Sequence, residues 1–290
     1  MVFNSYAKLN LYLDILDKRD DGYHNILTLF ERIDLYDTIS LKPRSDKKIK
    51  IFCNCPLISK DSTNLAYKSA QILQDRFGVK RGIDIKITKR IPVGSGLGGG
   101  SSNAAAVLLG LNQLWRLGLE KEKLVDLARS IGSDVPFFIY NTPFALGTQR
   151  GDRLKALRRL DRIRLWHILI VPNRVIPTEM VYRRWDSKRF KRLTKIKYDV
   201  KLLYLALQQK NLDLIARYLF NCLEEITSSF YPILNYIKHR LTDLGLKSVL
   251  MSGSGPAMFG IVSSRKEGEF LSRQLKQEFK DSRIFLVRTI

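Results

Sequence analysis

The sequence is poor in the residues that most often hold metals or form disulfide frameworks. Among its 290 residues are three cysteines and three histidines, scattered along the chain: Cys53, Cys55, Cys222, His24, His167 and His239. A structural zinc site needs about four such ligands. Three cysteines cannot all pair, and Cys53 and Cys55 lie too close for ordinary disulfide geometry in an extended segment. We therefore expect a reduced, cytoplasmic protein.

Long apolar segments are also missing. No uncharged apolar run approaches the roughly 18 residues that span a bilayer, and the opening MVFNSYAKLNLYLD lacks the basic-then-apolar order of a secretory signal. We expect no membrane partner. Hydrophobic residues nevertheless make up 45% of the chain, which is enough for a core and argues against disorder.

Acidic residues are scarce relative to basic ones. The chain has 50 Lys and Arg against 28 Asp and Glu, a net charge of +22, and residues 150–199 carry +11 of it. A solvated basic surface, an acidic phosphorylated substrate and a nucleic acid are all compatible with this excess. The charge alone does not choose among them, and its purpose stays open.

The spacing of apolar residues predicts strands and helices in both halves of the chain. Strict alternation over residues 3–15 predicts a strand that has Lys8 and Asn10 together on its polar face. LTLFERIDLYDTISLKP reads as one or two strands, and STNLAYKSAQILQDRFG as a helix capped by Ser62 or Thr63 and ended by Gly78.

The second half repeats this mixture. WHILIVP, KSVLMSGSGPAMFGIVSS and RIFLVRTI read as strands, LDLIARYLFNCLEEI as one amphipathic helix, and the basic window as largely helical from about residue 178. We expect an α+β fold of two domains, residues 1–157 and 158–290, divided in the charged stretch 150–164.

The most informative segment is PVGSGLGGGSSNAAA, which has five glycines in the seven positions 94–100 and then strong helix formers. Glycine lets backbone N–H groups approach a ligand closely. A helix N-terminus carries about +0.5 charge and unpaired N–H donors. We expect a helix over 102–117 whose start binds a polyphosphate, rather than a hinge or a tight packing contact.

Three common phosphate loops do not fit this context. Gly94, Gly96 and Gly99 match G-x-G-x-x-G, but two helices follow instead of the strand with an acidic end that a dinucleotide site requires. The chain has no G-K-[ST] for a Walker A loop, and neither H-R-D nor D-F-G for a protein kinase.

PVGSGLGGGSSNAA resembles the central motif of the GHMP kinases, the superfamily that includes galactokinase, homoserine kinase and mevalonate kinase. AKLNL, DGYH, GSDVPFF, IPT and SGSGPAMFG resemble, in order and spacing, the branch that phosphorylates a cytidine diphosphate derivative in the methylerythritol phosphate route to isoprenoids. The resemblance covers essentially the whole chain. It implies a ribosomal-protein-S5-like N-terminal domain and a ferredoxin-like C-terminal domain, with ATP and substrate meeting between them.

The resemblance also implies roles for residues. ATP would contact Pro92, Val93, Gly94, Ser95, Gly96, Leu97, Gly98, Gly99, Gly100, Ser101 and Ser102, with Asn64 and Lys89 beside the adenine. Asp134 would accept the proton of the substrate hydroxyl and Lys8 would orient it. The residues alone favour a helix cap for Asp134, and they suit an exposed strand lysine at Lys8 equally well; the resemblance reverses the first of these readings.

The substrate would be held by five residues: Asn10, Tyr23, His24, Thr178 and Tyr182. The two tyrosines would cover the base, although Tyr23 and His24 also suit a plain turn. Mg²⁺ would accompany ATP, with ligands unknown, and Ser101 or Ser102 could contact it. We expect a monomer or weak homodimer and no nucleic-acid partner. The alternatives are a kinase of the mevalonate or homoserine type and a basic RNA-binding protein on the same fold.

Overall fold

The structure is a computed structural model that describes residues 1–187 and 199–290. The helix expected from about residue 178 is present over Thr178–Trp185, and its expected continuation through 188–198 lies outside the described residues. No helix among the described residues has the length and apolar character needed to cross a membrane.

One mixed sheet carries most of the first half. Its strands are β1 (Val2–Lys18), β2 (His24–Arg44), β3 (Ile49–Cys53), β4 (Gly82–Thr88), β5 (Phe144–Thr148), β6 (Arg153–Ala156) and β8 (Phe220–Asn221). The order is β3-β4-β2-β1-β8, and β5 pairs with both β2 and β6. The segment expected to give one or two strands is the single long strand β2. Because β8 comes from the second half and runs parallel to β1, the two halves share this sheet; the boundary at 157/158 stays a prediction.

Four helices follow in the first half: α1 (Leu65–Phe77), α2 (Gly99–Leu114), α3 (Lys121–Ile131) and α4 (Val135–Tyr140). Helix α1 is capped by Asn64 rather than by Ser62 or Thr63, and it ends at Gly78 in the left-handed conformation, as expected. Helix α2 begins at Gly99, three residues before the predicted start, so two of the loop glycines already belong to its first turn.

The second sheet is antiparallel, in the order β11-β7-β10-β9. Its strands are β7 (Trp166–Pro172), β9 (Val249–Met251), β10 (Met258–Val262) and β11 (Ser282–Arg288). The helices of this half are α5 (Thr178–Trp185), α6 (Val200–Gln209), α7 (Leu212–Tyr218), α8 (Glu224–Phe230), α9 (Ile233–Asp243) and α10 (Arg265–Glu278). The α+β prediction is confirmed.

The prediction of one helix over LDLIARYLFNCLEEI is wrong. Helix α7 ends at Tyr218, β8 follows, and α8 begins at Glu224. Asn221 explains the break, because its amide donates to the carbonyls of Met251 and Gly253 at 2.7 and 2.8 Å. These contacts tie the segment to the turn after β9, which a continuous helix could not reach.

Both faces of β1 are buried in its central part. Lys8 and Asn10 are 4% and 3% exposed, although the alternation predicted a polar face. The reason is the glycine loop, which packs over this face: the N–H of Lys8 donates to the carbonyl of Leu97 at 3.0 Å, and Gly98 lies against the Lys8 side chain. The polar face of β1 therefore lines a cavity, and Lys8 is not an exposed strand lysine.

Candidate active site

A cavity of about 1040 Å³ brings most of the predicted site residues together. Its lining includes Lys8, Asn10, Tyr23, His24, Lys89, Pro92, Val93, Gly94, Ser95, Gly96, Leu97, Gly98, Gly99, Gly100, Ser101, Asp134, Thr178 and Tyr182. Two predicted residues, Asn64 and Ser102, are outside this lining. The side chain of Asn64 caps α1 by accepting from the N–H of Ala66, and Ser102 is 2% exposed with its Oγ 2.7 Å from that of Ser5.

The glycine loop ends at the N-terminus of α2. Gly94, Gly96 and Gly98 have φ of +62°, +81° and +70°, a region that disfavours side chains. A Cβ on Gly96 would lie 2.1 Å from the carbonyl oxygen of Ser252. Gly98 stands at the N-cap of α2 without a side-chain capping bond, so the first N–H groups of the helix lack a capping side chain. With the helix dipole, they form a site suited to an anion.

The turn between β9 and β10 supports this loop. The Oγ of Ser252 accepts from the N–H of Asn10 and donates to the carbonyl of Gly96, both at 3.2 Å. The N–H of Ala257 donates to the carbonyl of Ser95 at 3.1 Å. The SGSGPAMFG segment therefore links β1 and the glycine loop.

Lys8 and Asp134 form an ion pair beside the loop. The Nζ of Lys8 lies 3.4 Å from Oδ2 of Asp134, and it donates to Oδ1 of Asn10 at 2.5 Å. The side chain of Asp134 is 32% exposed, against 5% for that of Lys8. Asp134 occupies the N-cap position of α4, but its side chain makes no capping hydrogen bond. The carboxylate thus faces the cavity instead of serving as a cap.

Lys89 contacts Asp37, a residue that the sequence did not predict for the site. Asp37 is fully buried, pairs with Lys89, and accepts from the backbone N–H of Arg90 and Ile91 at 2.7 and 2.9 Å. Asn103 at the start of α2 donates to the same carboxylate at 2.9 Å. Asp37 therefore fixes both ends of the glycine loop. In β2 it occupies the inward-facing register of Ile33, Leu35 and Ile39, so an aspartate in that apolar face was the available signal, and only its distant partners reveal the role.

The opposite end of the cavity is aromatic. Tyr23 is 54% exposed and His24 7% exposed, and the ring of Tyr182 lies 5.2 Å from that of His24. Burial raises the pKa of Tyr182 well above its usual range, so this phenol stays protonated. Thr178 begins α5, and its hydroxyl lies 2.9 Å from that of Ser254.

The carboxylates suit a metal that arrives with phosphate better than a resident one. Among residues 1–187 and 199–290 there is no group of three His, Cys, Asp or Glu placed to hold a metal ion. Mg²⁺ is usually bound by one or two carboxylates together with substrate phosphates and water. Asp134 and the hydroxyl of Ser101 are oxygen donors on the cavity wall that meet this description.

Comparison with known proteins agrees with this geometry. The GHMP kinases N terminal domain family matches residues 64–142, and the GHMP kinases C terminal family matches residues 203–281. A 4-diphosphocytidyl-2-C-methyl-D-erythritol kinase from Alkaliphilus oremlandii is 39% identical over 98% of this chain and 95% of its own. One from Geobacillus sp. (strain WCH70) is 42% identical over 88% of this chain and 86% of its own.

The chain belongs to the 4-diphosphocytidyl-2-C-methyl-D-erythritol kinase family of GHMP kinases. A crystal structure described as 4-(cytidine 5'-diphospho)-2C-methyl-D-erythritol kinase superimposes with a TM-score of 0.81 at 31% identity, and the match covers 100% of both chains. Membership in this family makes the chain an ATP-dependent small-molecule kinase, and it favours that activity over a basic RNA-binding protein.

Proposed function

We propose that the protein transfers the γ-phosphoryl group of ATP to the 2-hydroxyl of 4-diphosphocytidyl-2-C-methyl-D-erythritol, a step in the methylerythritol phosphate route to isoprenoids. One observation carries the proposal: a single cavity joins the glycine loop, the Lys8–Asp134 pair, and the aromatic cluster of Tyr23, His24 and Tyr182. The loop suits a triphosphate, the pair suits an attacking alcohol, and the cluster suits a base.

Asp134 acts on the hydroxyl. Its carboxylate accepts the proton of the attacking alcohol while the oxygen forms its bond to the γ-phosphorus, and ADP leaves. Direct transfer needs no covalent enzyme intermediate, because positioning and charge stabilisation supply most of the acceleration. The freedom of Asp134 from any capping bond supports this role.

Lys8 holds Asp134 and stabilises the transferring charge. Its ammonium lies between the carboxylate and the amide oxygen of Asn10, and it sits 5.4 Å from the centroid of the Phe30 ring. In this buried setting a cation is worth more to the developing negative charge than it would be in water. Asn10 accepts a hydrogen bond from this ammonium, lines the same cavity and contacts the substrate.

ATP binds along the glycine loop, with Pro92–Ser101 as its cradle. Asp134 and Ser101 would hold a Mg²⁺ ion that comes with the nucleotide, and the ion would screen the phosphate charge. Ser102 and Asn64 contribute by holding the starts of α2 and α1, and Lys89 by its pairing with Asp37. At the other end, Tyr23 and Tyr182 cover the cytosine, and His24 and Thr178 contact polar groups of the substrate.

The test is a coupled assay of ADP release with Mg²⁺-ATP and three alcohols in parallel: the cytidyl substrate, mevalonate and homoserine. The proposal predicts ADP release that depends on the cytidyl substrate, with the other alcohols at background. Strong turnover of mevalonate or homoserine would replace the proposed substrate while leaving the kinase assignment intact. Salt-sensitive RNA binding without any phosphoryl transfer would contradict the activity itself.

A further inference from the structure

The end of α5 carries a carboxylate that joins two residues on either side of the β1–β2 turn. Oδ1 of Asp186 lies 2.8 Å from Nε2 of His24, and Oδ2 pairs with the ammonium of Lys18. Lys18 is the last residue of β1, and His24 is the first of β2. The chain Lys18–Asp186–His24 therefore fastens the turn that carries Tyr23 to the C-terminal half.

Helix α5 also fixes the imidazole ring by packing. The ring of Tyr182 lies 5.2 Å from that of His24 at 39°, and the ring of Trp185 lies 5.5 Å away at 84°, edge to face. Only 7% of His24 is exposed. With two rings of α5 and the carboxylate of Asp186 around it, the imidazole has little freedom to turn over.

The contact with Asp186 decides which nitrogen carries the proton. Burial acts to raise the pKa of Asp186, but hydrogen bonds from Lys18 and His24 outweigh it and hold the pKa below its usual range. The group is therefore an ionised acceptor, and Nε2 of His24 must be the donor. With Nε2 as the donor, the neutral form of the ring has Nδ1 as its acceptor.

Nδ1 is the nitrogen left for a ligand. His24 lines the cavity, and its Nδ1 has no hydrogen-bond partner within the described ranges 1–187 and 199–290. The Watson–Crick edge of cytosine presents an exocyclic amine, which donates. Uracil has a carbonyl oxygen at that position, so two acceptors would face each other without a proton between them.

We propose that Asp186 is a positioning residue that holds His24 as the Nε2–H tautomer, and that it thereby makes the site prefer cytosine over uracil. The inference rests on the proposed function, because it assigns the aromatic end of the cavity to a pyrimidine base. It goes further in naming the residue that sets base specificity through His24. A site that must leave a buried acceptor unpaired rejects the wrong ligand strongly.

The tautomer is measured directly by ¹⁵N NMR of the imidazole side chains above neutral pH. The chain has three histidines, so the variant His24→Asn assigns the signal by its disappearance. The wild type should show His24 protonated at Nε2 only, and Asp186→Asn should show a mixture of tautomers. A wild-type His24 protonated at Nδ1 would overturn the proposal.

Base preference is measured by titrating the protein with cytidine 5'-diphosphate and with uridine 5'-diphosphate. We expect CDP to bind at least about 10-fold more tightly than UDP, Asp186→Asn to reduce this ratio to about 2-fold or less, and Asp186→Glu to restore part of it. In the kinase assay, the KM for the cytidyl substrate should rise about 10-fold in Asp186→Asn, and the KM for ATP should stay constant. A wild-type ratio near one, or an unchanged ratio in a folded Asp186→Asn variant, would overturn the proposal.

The matched control is Asp213→Asn, which removes an exposed carboxylate paired with Lys247 on another surface. It should leave both nucleotide affinities unchanged, and circular dichroism checks that each variant is folded. The two proposals fail separately. Absence of ADP release would refute the proposed reaction, while the tautomer and the CDP-to-UDP ratio would still decide the role of Asp186.

Discussion

The ammonium of Lys8 lies 3.4 Å from the carboxylate of Asp134, although one residue is in the first strand and the other precedes α4. The glycine loop makes this approach possible. A Cβ on Gly98 would lie 3.0 Å from Cγ of Lys8 and 3.1 Å from the ring of Phe138. The same glycines that open α2 to phosphate thus leave room for the lysine beneath it.

The pairing predicts a specific effect of removing the ammonium. Lys8→Met keeps the aliphatic length that packs beside Gly98 but removes the charge, so kcat should fall at least about 100-fold. The control Lys42→Met, at an exposed position of β2, should keep wild-type kcat. Steady-state kinetics decide the matter, and a wild-type kcat in Lys8→Met would remove Lys8 from the proposed chemistry.

Substitution of Gly96 should disrupt the phosphate site. Gly96→Ala places a Cβ 2.1 Å from the carbonyl of Ser252 at a φ of +81°, so the loop must move away from its support. The KM for ATP should rise at least about 10-fold. The strained φ alone would cost roughly 1 kcal/mol of unfolding free energy without raising this KM. Gly118→Ala is the control: its φ is +64°, but nothing lies within 4 Å. Equal ATP kinetics in the two variants would contradict the close fit of the loop.

Removal of the exposed aromatic ring should affect one substrate only. Tyr23→Ala should raise the KM for the cytidyl substrate between about 5-fold and 100-fold, the range expected for loss of one stacked base. The KM for ATP should not change. Tyr236, 52% exposed on α9 against 54% for Tyr23, provides the control Tyr236→Ala. A rise in the ATP KM alone would place Tyr23 at the nucleotide end of the cavity.

Asp14 predicts a pH dependence of stability. Burial raises its pKa to about 6, because Oδ1 has no hydrogen-bond partner among the described residues and the ionised form is disfavoured. The folded state thus binds this proton more tightly than the unfolded state. The destabilisation is absent below the unfolded pKa near 3.8, and it develops as the pH rises through about 6.

Asp14→Asn removes that cost. The variant should be more stable than the wild type by about 1 kcal/mol at pH values above 6, an amount reduced from full conversion of the pKa change because the carboxyl is only partly buried. The gain should disappear near pH 3, below the unfolded pKa of 3.8, where both states protonate the wild-type carboxyl. Urea unfolding at the two pH values measures it, and an equal gain at both would show that the carboxylate charge is not the cause.

The fold and the glycine loop could be predicted from the sequence because their signals are local. Alternation gave β1, and five glycines before an alanine-rich segment gave the helix start within three residues. Helix α7, β8 and α8 were misread as one helix because the break depends on Asn221 contacting the turn after β9. No pattern within the segment carries that information.

Two further carboxylates were missed for the same reason. Asp37 and Asp186 act through partners far away in the chain, Lys89 and Asn103 for the first and Lys18 and His24 for the second. A polar residue in a strand or at a helix end has many ordinary explanations. Only the folded arrangement shows that one fixes the glycine loop and the other contacts the aromatic end of the cavity.

The most direct test of the proposed chemistry is a single-turnover assay of Asp134→Asn with ATP and the cytidyl substrate, together with ATP binding by calorimetry. Asparagine keeps the size of the side chain but cannot accept the hydroxyl proton as a carboxylate does. We predict that phosphoryl transfer falls at least about 100-fold while ATP binds with wild-type affinity. Transfer at the wild-type rate in Asp134→Asn would contradict the assignment of Asp134 as the base.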